Sequence, residues 1–130
     1  MRDPLTVQDL KIWQKSMDLV EACYRASTAI PREERFGLIS QMRRAATSVP
    51  ANIAEGYGRW NVKEFARFLA IANGSLRELE THVVIARRLG YLSPRGCAPL
   101  LESTSEIARM IYGMRLKIQA RLVSEKRRDG

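Results

Sequence analysis

The chain has 130 residues, 45% of them apolar and 28% charged, which suits one globular domain spanning residues 1–130 and is too short for two. A net charge of +8, from 22 basic and 14 acidic side chains, with a pI near 10.1, makes polyanions the expected partners, nucleic acid before anionic membrane. The same sequence argues against membrane insertion and export: apolar runs are broken by Arg or Glu well before the ~18 residues a span needs, and the start MRDPLTVQDLKIWQKSMDL carries charges throughout.

A cytoplasmic chain is therefore expected, with Cys23 and Cys97 as reduced thiols, since no CxxC or His cluster accompanies them. The charge is uneven. Residues 1–60 carry 9 basic and 7 acidic side chains, residues 61–130 carry 13 and 7, and the part from Ile107 onward carries seven basic against two acidic.

The first helix is expected over about 6–29, capped by Thr6 or Asp9, with Leu10, Trp13, Met17, Val20 and Tyr24 as its buried seam. Ile30-Pro31 ends it, and PREERFG forms a polar turn. The second helix, about 37–57, carries Met42, Ala45, Val49 and Ile53 at spacings of three and four. Pro50 falls in its middle, where a proline costs on the order of 3 kcal/mol. It reads either as a kink or as the first turn of another helix, with Thr47 and Ser48 placed to bond the freed backbone groups. Asn52 lies on or beside the apolar stripe, as a polar group that sets register or partners the kinked backbone. Glu55 suits a free backbone donor or an arginine at the same corner, and Gly56 and Gly58 stop the helix.

Asn61 and Glu64 have the spacing of a capping box and open the third helix, about 61–89, expected to be the longest. Its stripe is Phe65, Phe68, Leu69, Ala72, Leu76, Leu79, Val83 and Ala86. Gly74 and Ser75 sit mid-helix, where small residues let a neighbouring helix approach. Glu78 and Glu80, two apart, fall on different faces. Ser93-Pro94 reads as loop and Pro99 as the approach to a fourth helix, about 99–123, with Ile107, Ile111, Met114 and Ile118 as its seam; residues 124–130 form a frayed basic tail. Four amphipathic helices with short connections give an all-α, antiparallel up-down-up-down four-helix bundle with a proline kink in helix 2.

No constellation of residues suggests catalysis, a metal or a cofactor. His82 stands without a catalytic partner, and no phosphate-cradling glycine loop, nucleophile motif or HExxH is present. The candidate nucleic-acid contacts are basic residues on helix flanks: Arg43 and Arg44; Arg59, Lys63 and Arg67, spaced by four; and Lys117 with Arg121. Tyr57 and Trp60 are aromatics beside Arg59 that suit base stacking. Such contacts are sequence-tolerant and salt-sensitive. The alternative reading is a structural or protein-interaction module whose helix faces dock a partner protein.

The runs RRAATSVPANIAEGYGR and FLAIANGSLRELETHVVIARRLGY resemble the small bacterial four-helix bundle family that includes proteins encoded in intervening sequences of large-subunit ribosomal RNA genes and the accessory variability determinant of diversity-generating retroelements. The resemblance runs from about Leu10 to Leu122. It implies a homo-oligomer, commonly a five-subunit barrel with a positive surface, and for retroelement members binding of RNA or DNA and of a reverse transcriptase. It places Arg43 and Arg44 at matching basic positions, and Pro50, Asn52, Glu55, Gly56, Gly74, Ser75 and Glu78 in the blocks that define the fold.

Overall fold

The computed structural model describes residues 6–129; the first five residues and Gly130, which the expected domain and tail include, lie outside them. Four helices make up the fold: α1 (Lys11–Ser27), α2 (Leu38–Tyr57), α3 (Val62–Arg88) and α4 (Pro94–Asp129). Each packs on its neighbours in sequence, and α4 closes against α1, so the helices stand in a ring with α1 diagonal to α3. The contacts between α2 and α3 run in opposite order: Gly56 meets Phe68, while Ser48, eight residues earlier, bonds Ser75, seven residues later. Likewise Cys97 of α4 points its thiol at the Val83 carbonyl, whereas Thr104 bonds Glu80. The chain is an antiparallel four-helix bundle.

The core follows the apolar spacing in α2, α3 and α4. Met42, Ala45, Val49 and Ile53 are buried, facing Leu69, Ala72, Leu76, Leu79, Val83, Ile107 and Ile111. Pro50 lies inside α2, buried, and the helix continues through it. The nearby hydroxyls are used differently from the expectation. Thr47 Oγ1 donates to the Arg44 carbonyl, and Ser48 Oγ pairs with Ser75 Oγ at 2.7 Å. Asn52 Nδ2 donates to both the Ser48 carbonyl and its hydroxyl, so Asn52, Ser48 and Ser75 form one polar clasp between α2 and α3.

In α1 the buried stripe is Ile12, Ser16, Leu19, Cys23 and Ser27, not the expected seam. Trp13 and Val20 are half-buried, and Met17 and Tyr24 are 38% and 41% exposed. The shift has a physical cause. Ser16 and Ser27 satisfy their hydroxyls on the Ile12 and Tyr24 carbonyls, which lets two serines occupy core positions at little desolvation cost. A 3-10 turn, Val7–Asp9, precedes the helix, and neither Thr6 nor Leu10 caps it with a side chain.

The helix ends differ at two places. Gly56 does not stop α2: it is buried inside the helix, and a Cβ added there would sit 2.5 Å from the Phe68 Cβ. The left-handed residue of this corner is Trp60, with φ 58°. Gly74, by contrast, faces open space, so the small residue that admits α2 is Ser75. The second difference is α4, which begins at Pro94, runs through Pro99 and reaches Asp129. At 36 residues it is the longest helix, about 54 Å against about 40 Å for α3. Ser93 is its N-terminal cap, accepting from the Gly96 N–H, and Pro94 takes the first helical position, where no N–H is needed.

Two glycine substitutions separate these roles. Gly56→Ala must push Phe68 away and is expected to destabilise the fold by about 1–3 kcal/mol, whereas Gly74→Ala gains helix propensity of up to about 1 kcal/mol; urea unfolding midpoints measure both. Cys23 supplies a pH test. Burial pushes its thiol up from 9.0 to about 11, against the opposing Arg43 charge. Between those values the unfolded chain has lost a proton that the folded chain keeps. This stabilising contribution is therefore full below pH 9 and lost as pH rises to 11. Unfolding free energy measured from pH 8 to 11 should fall more steeply in the wild type than in Cys23→Ala.

Candidate nucleic-acid interface

The seven basic residues expected from the sequence do not converge. Arg43 is half-buried: its Nε donates to Ser27 Oγ at 2.9 Å and its guanidinium lies 4.5 Å over the Tyr24 ring, so it clamps α1 onto α2. Arg44 is exposed on the same helix. Arg59 lies in the α2–α3 connection, before α3 begins at Val62, so Arg59, Lys63 and Arg67 do not form a stripe on one helix. Arg59 pairs with Glu55 at 3.0 Å and Arg67 with Glu64 at 2.9 Å, and both guanidiniums lie over the Phe68 ring. The Arg67 hydrogen bond, with its charge, holds the Glu64 carboxyl below its usual range. Lys63 is exposed.

The residues around this corner are structural. Asn61 Oδ1 accepts from the Glu64 N–H, as a capping box requires, but the Glu64 carboxylate turns to Arg67. Tyr57 packs edge-on against Phe65, with ring centroids 5.7 Å apart, while Trp60 is 75% exposed. Glu78 is exposed and reaches His82 at 3.5 Å. Glu80 ties α3 to α4, pairing with Arg77 and accepting from Thr104 of α4.

On α4 beyond Ile107 most of the basic residues escape such neutralisation. All seven beyond Ile107 are exposed, and among the described residues only Arg121 has an ion-pair partner, Glu125 at 3.2 Å. Ile118 is the last buried residue of α4, so its final two turns, with Lys126, Arg127 and Arg128, project past the core. Lys117 and Arg121 lie about 160° and 120° round the helix from Arg115. They belong to a different flank from the one that faces α3.

That α3-facing flank holds a site the sequence reading missed. Asn73 and Arg77, one turn apart on α3, and Ser105, Arg109, Tyr112 and Arg115 on α4 line an open cavity of about 350 Å³. Arg77 is held by Glu80, and Arg109 Nη1 donates to Ser105 Oγ at 2.9 Å. Arg115 has no carboxylate partner among the described residues. The nearest acid on this part of α4, Glu106, is engaged by Lys15 of α1 at 2.8 Å; that hydrogen bond, with smaller help from Arg109, keeps its carboxyl low. A second cavity, sharing Tyr112 and Arg115, continues the furrow to Gln119 and Leu122. The spacing 105, 109, 112, 115 was the signal in the sequence, but its α3 partners become visible only once the helices pair.

Among the described residues no group of three or more His, Cys, Asp or Glu is arranged to hold a metal ion. No helix among them is long and apolar enough to cross a membrane.

Comparison with known proteins agrees with the architecture. A crystal structure of a protein of unknown function from the S23 ribosomal protein family of Bacteroides thetaiotaomicron superposes with a TM-score of 0.72 at 20% sequence identity, covering 80% of this chain and 97% of that one. No curated protein matches the chain. The family described as 23S rRNA-intervening sequence protein matches residues 8–113; with its helices and their antiparallel order, the chain belongs to that family.

Proposed function

We propose that this protein is a non-enzymatic, homo-oligomeric bundle that binds RNA or DNA through a basic surface, without strong sequence preference. One observation carries the reading: α4 beyond Ile107 presents seven exposed cations, six of them without an ion-pair partner among the described residues. Exposed cations of this density bind phosphates by releasing condensed counterions. The family name and its link to ribosomal RNA are in keeping with such a role. Lys117 and Arg121, with Arg44 and Lys63 as further exposed cations, supply phosphate contacts; Arg43, Arg59 and Arg67 are committed to the fold and contribute charge at a distance.

Oligomerisation multiplies weak sites into useful avidity. The surface offers a face for it: Trp13, Met17 and Val20 of α1 and Thr47, Pro50, Ala51 and Ala54 of α2 line an apolar groove. The same groove, with the protruding Trp60, favours a second reading in which a partner protein docks there and the positive charge serves solubility.

Binding of labelled 20-nucleotide RNA and DNA across a salt series, with the assembly mass measured on the same sample, tests the proposal. The expected result is an assembly larger than a dimer whose affinity falls about three-hundredfold between 50 and 200 mM salt if six phosphates of a single strand are held. Reversing two charges with Lys117→Glu and Arg121→Glu should remove most of that affinity while leaving the assembly mass unchanged. Absence of binding at 50 mM salt overturns the nucleic-acid reading and leaves protein docking.

A further inference from the structure

Building on that reading, we infer that the α3–α4 furrow is a single-strand site: Arg109 and Arg115 hold successive phosphates, Arg77 adds charge from its ion pair with Glu80, and the exposed ring of Tyr112 stacks on an unpaired base. Tyr112 is 65% exposed, and it lies among three guanidiniums, the Asn73 amide and the Ser105 hydroxyl in one cavity. Guanidiniums suit phosphate oxygens in a bidentate manner. An exposed ring lining a cationic groove is an arrangement that binds single strands, because every base has a face to stack while a duplex keeps its bases turned inward.

The furrow is also continuous and weakly opposed. Its second cavity carries the lining along α4 from Tyr112 and Arg115 to Leu122, so from Arg109 to Leu122 it runs about 20 Å along the helix. Of the carboxylates beside it, Glu106 is drawn off by Lys15 of α1, and Glu80 pairs with Arg77 while accepting from Thr104, which leaves Arg109 and Arg115 without a carboxylate partner among the described residues. The expected direct contacts Lys117 and Arg121 lie on another flank, so they supply charge without seeing the bases.

The test is fluorescence anisotropy of the full chain with a labelled 12-nucleotide mixed-sequence single strand, as RNA and as DNA, against duplexes of the same length. The wild type should hold single strands about tenfold more tightly than duplex at 100 mM salt. Tyr112→Ala should lower single-strand affinity about fivefold to a hundredfold without changing the salt slope, and Tyr112→Phe should restore it. Arg109→Gln and Arg115→Gln should each lower the slope of log K against log salt by about 0.7. Lys117→Gln with Arg121→Gln, matched in charge to Arg109→Gln with Arg115→Gln combined, is the control and should weaken strand and duplex alike. Because Tyr112 is exposed, its variants keep the fold, and unchanged thermal unfolding confirms it. Equal binding of strand and duplex with no effect of Tyr112→Ala overturns the inference while leaving the basic-surface reading standing. Displacement of the strand by a polyglutamate peptide at equal charge concentration also overturns it, in favour of an acidic protein ligand. A wild type that binds no polyanion at 50 mM salt overturns both.

Discussion

The bundle depends on how closely α2 and α3 approach. Their interface is the most extensive in the molecule, and it is closed at one end by the absence of a side chain at Gly56, which seats the Phe68 Cβ, and in the middle by the Ser48–Ser75 hydroxyl pair with Asn52 beneath it. This part-buried hydroxyl pair favours one register of the two helices, since a slip of one residue separates Ser48 from Ser75 and leaves Ser75 only the Ile71 carbonyl of its own helix. No buried side-chain polar atom among the described residues lacks a partner. The clasp thus helps set register, and the apolar residues around it supply most of the burial.

Charge is treated differently on the two sides of the molecule. Around the α2–α3 corner the arginines are drawn onto carboxylates and the Phe68 ring, while Arg43 bonds two neutral groups of α1. These pairs are exposed, so each contributes little to stability, but they lower the local potential. The outer half of α4 has no such carboxylate supply: only Glu125 and Asp129 follow Ile107. A helix that outlasts the core it packs on, and carries unopposed cations there, cannot owe its length to burial.

The parts of the fold written in periodic apolar spacing were legible in the sequence. Met42, Ala45, Val49 and Ile53 could be read as core because nothing polar interrupts them, and the stripe of α3 likewise. The seam of α1 was misread by one position because size and apolarity favour Trp13 and Met17, whereas the core takes Ser16 and Ser27, whose hydroxyls are satisfied by their own helix. The start of α4 was misread because Ser-Pro marks both loops and helix N-termini; only the Ser93 cap to Gly96 decides between them. The furrow was illegible for a different reason. Arg77 lies more than thirty residues from Arg109 in sequence, and which face of α3 meets which face of α4 is set by tertiary packing.

The cyclic order of the helices has a consequence for how the two unsatisfied surfaces coexist. The apolar groove lies on the α1–α2 edge and the cationic furrow on the α3–α4 edge, and in a ring of four helices those edges are opposite. A second copy seated on the first would leave the second open to solvent, whereas the reverse arrangement would bury three guanidiniums at a cost that apolar contact does not recover. On the proposed reading, apolar self-association and polyanion binding would therefore not compete for surface. Each added copy would bring another furrow within reach of the same strand, and the charge that opposes assembly would be offset by the ligand that assembly binds.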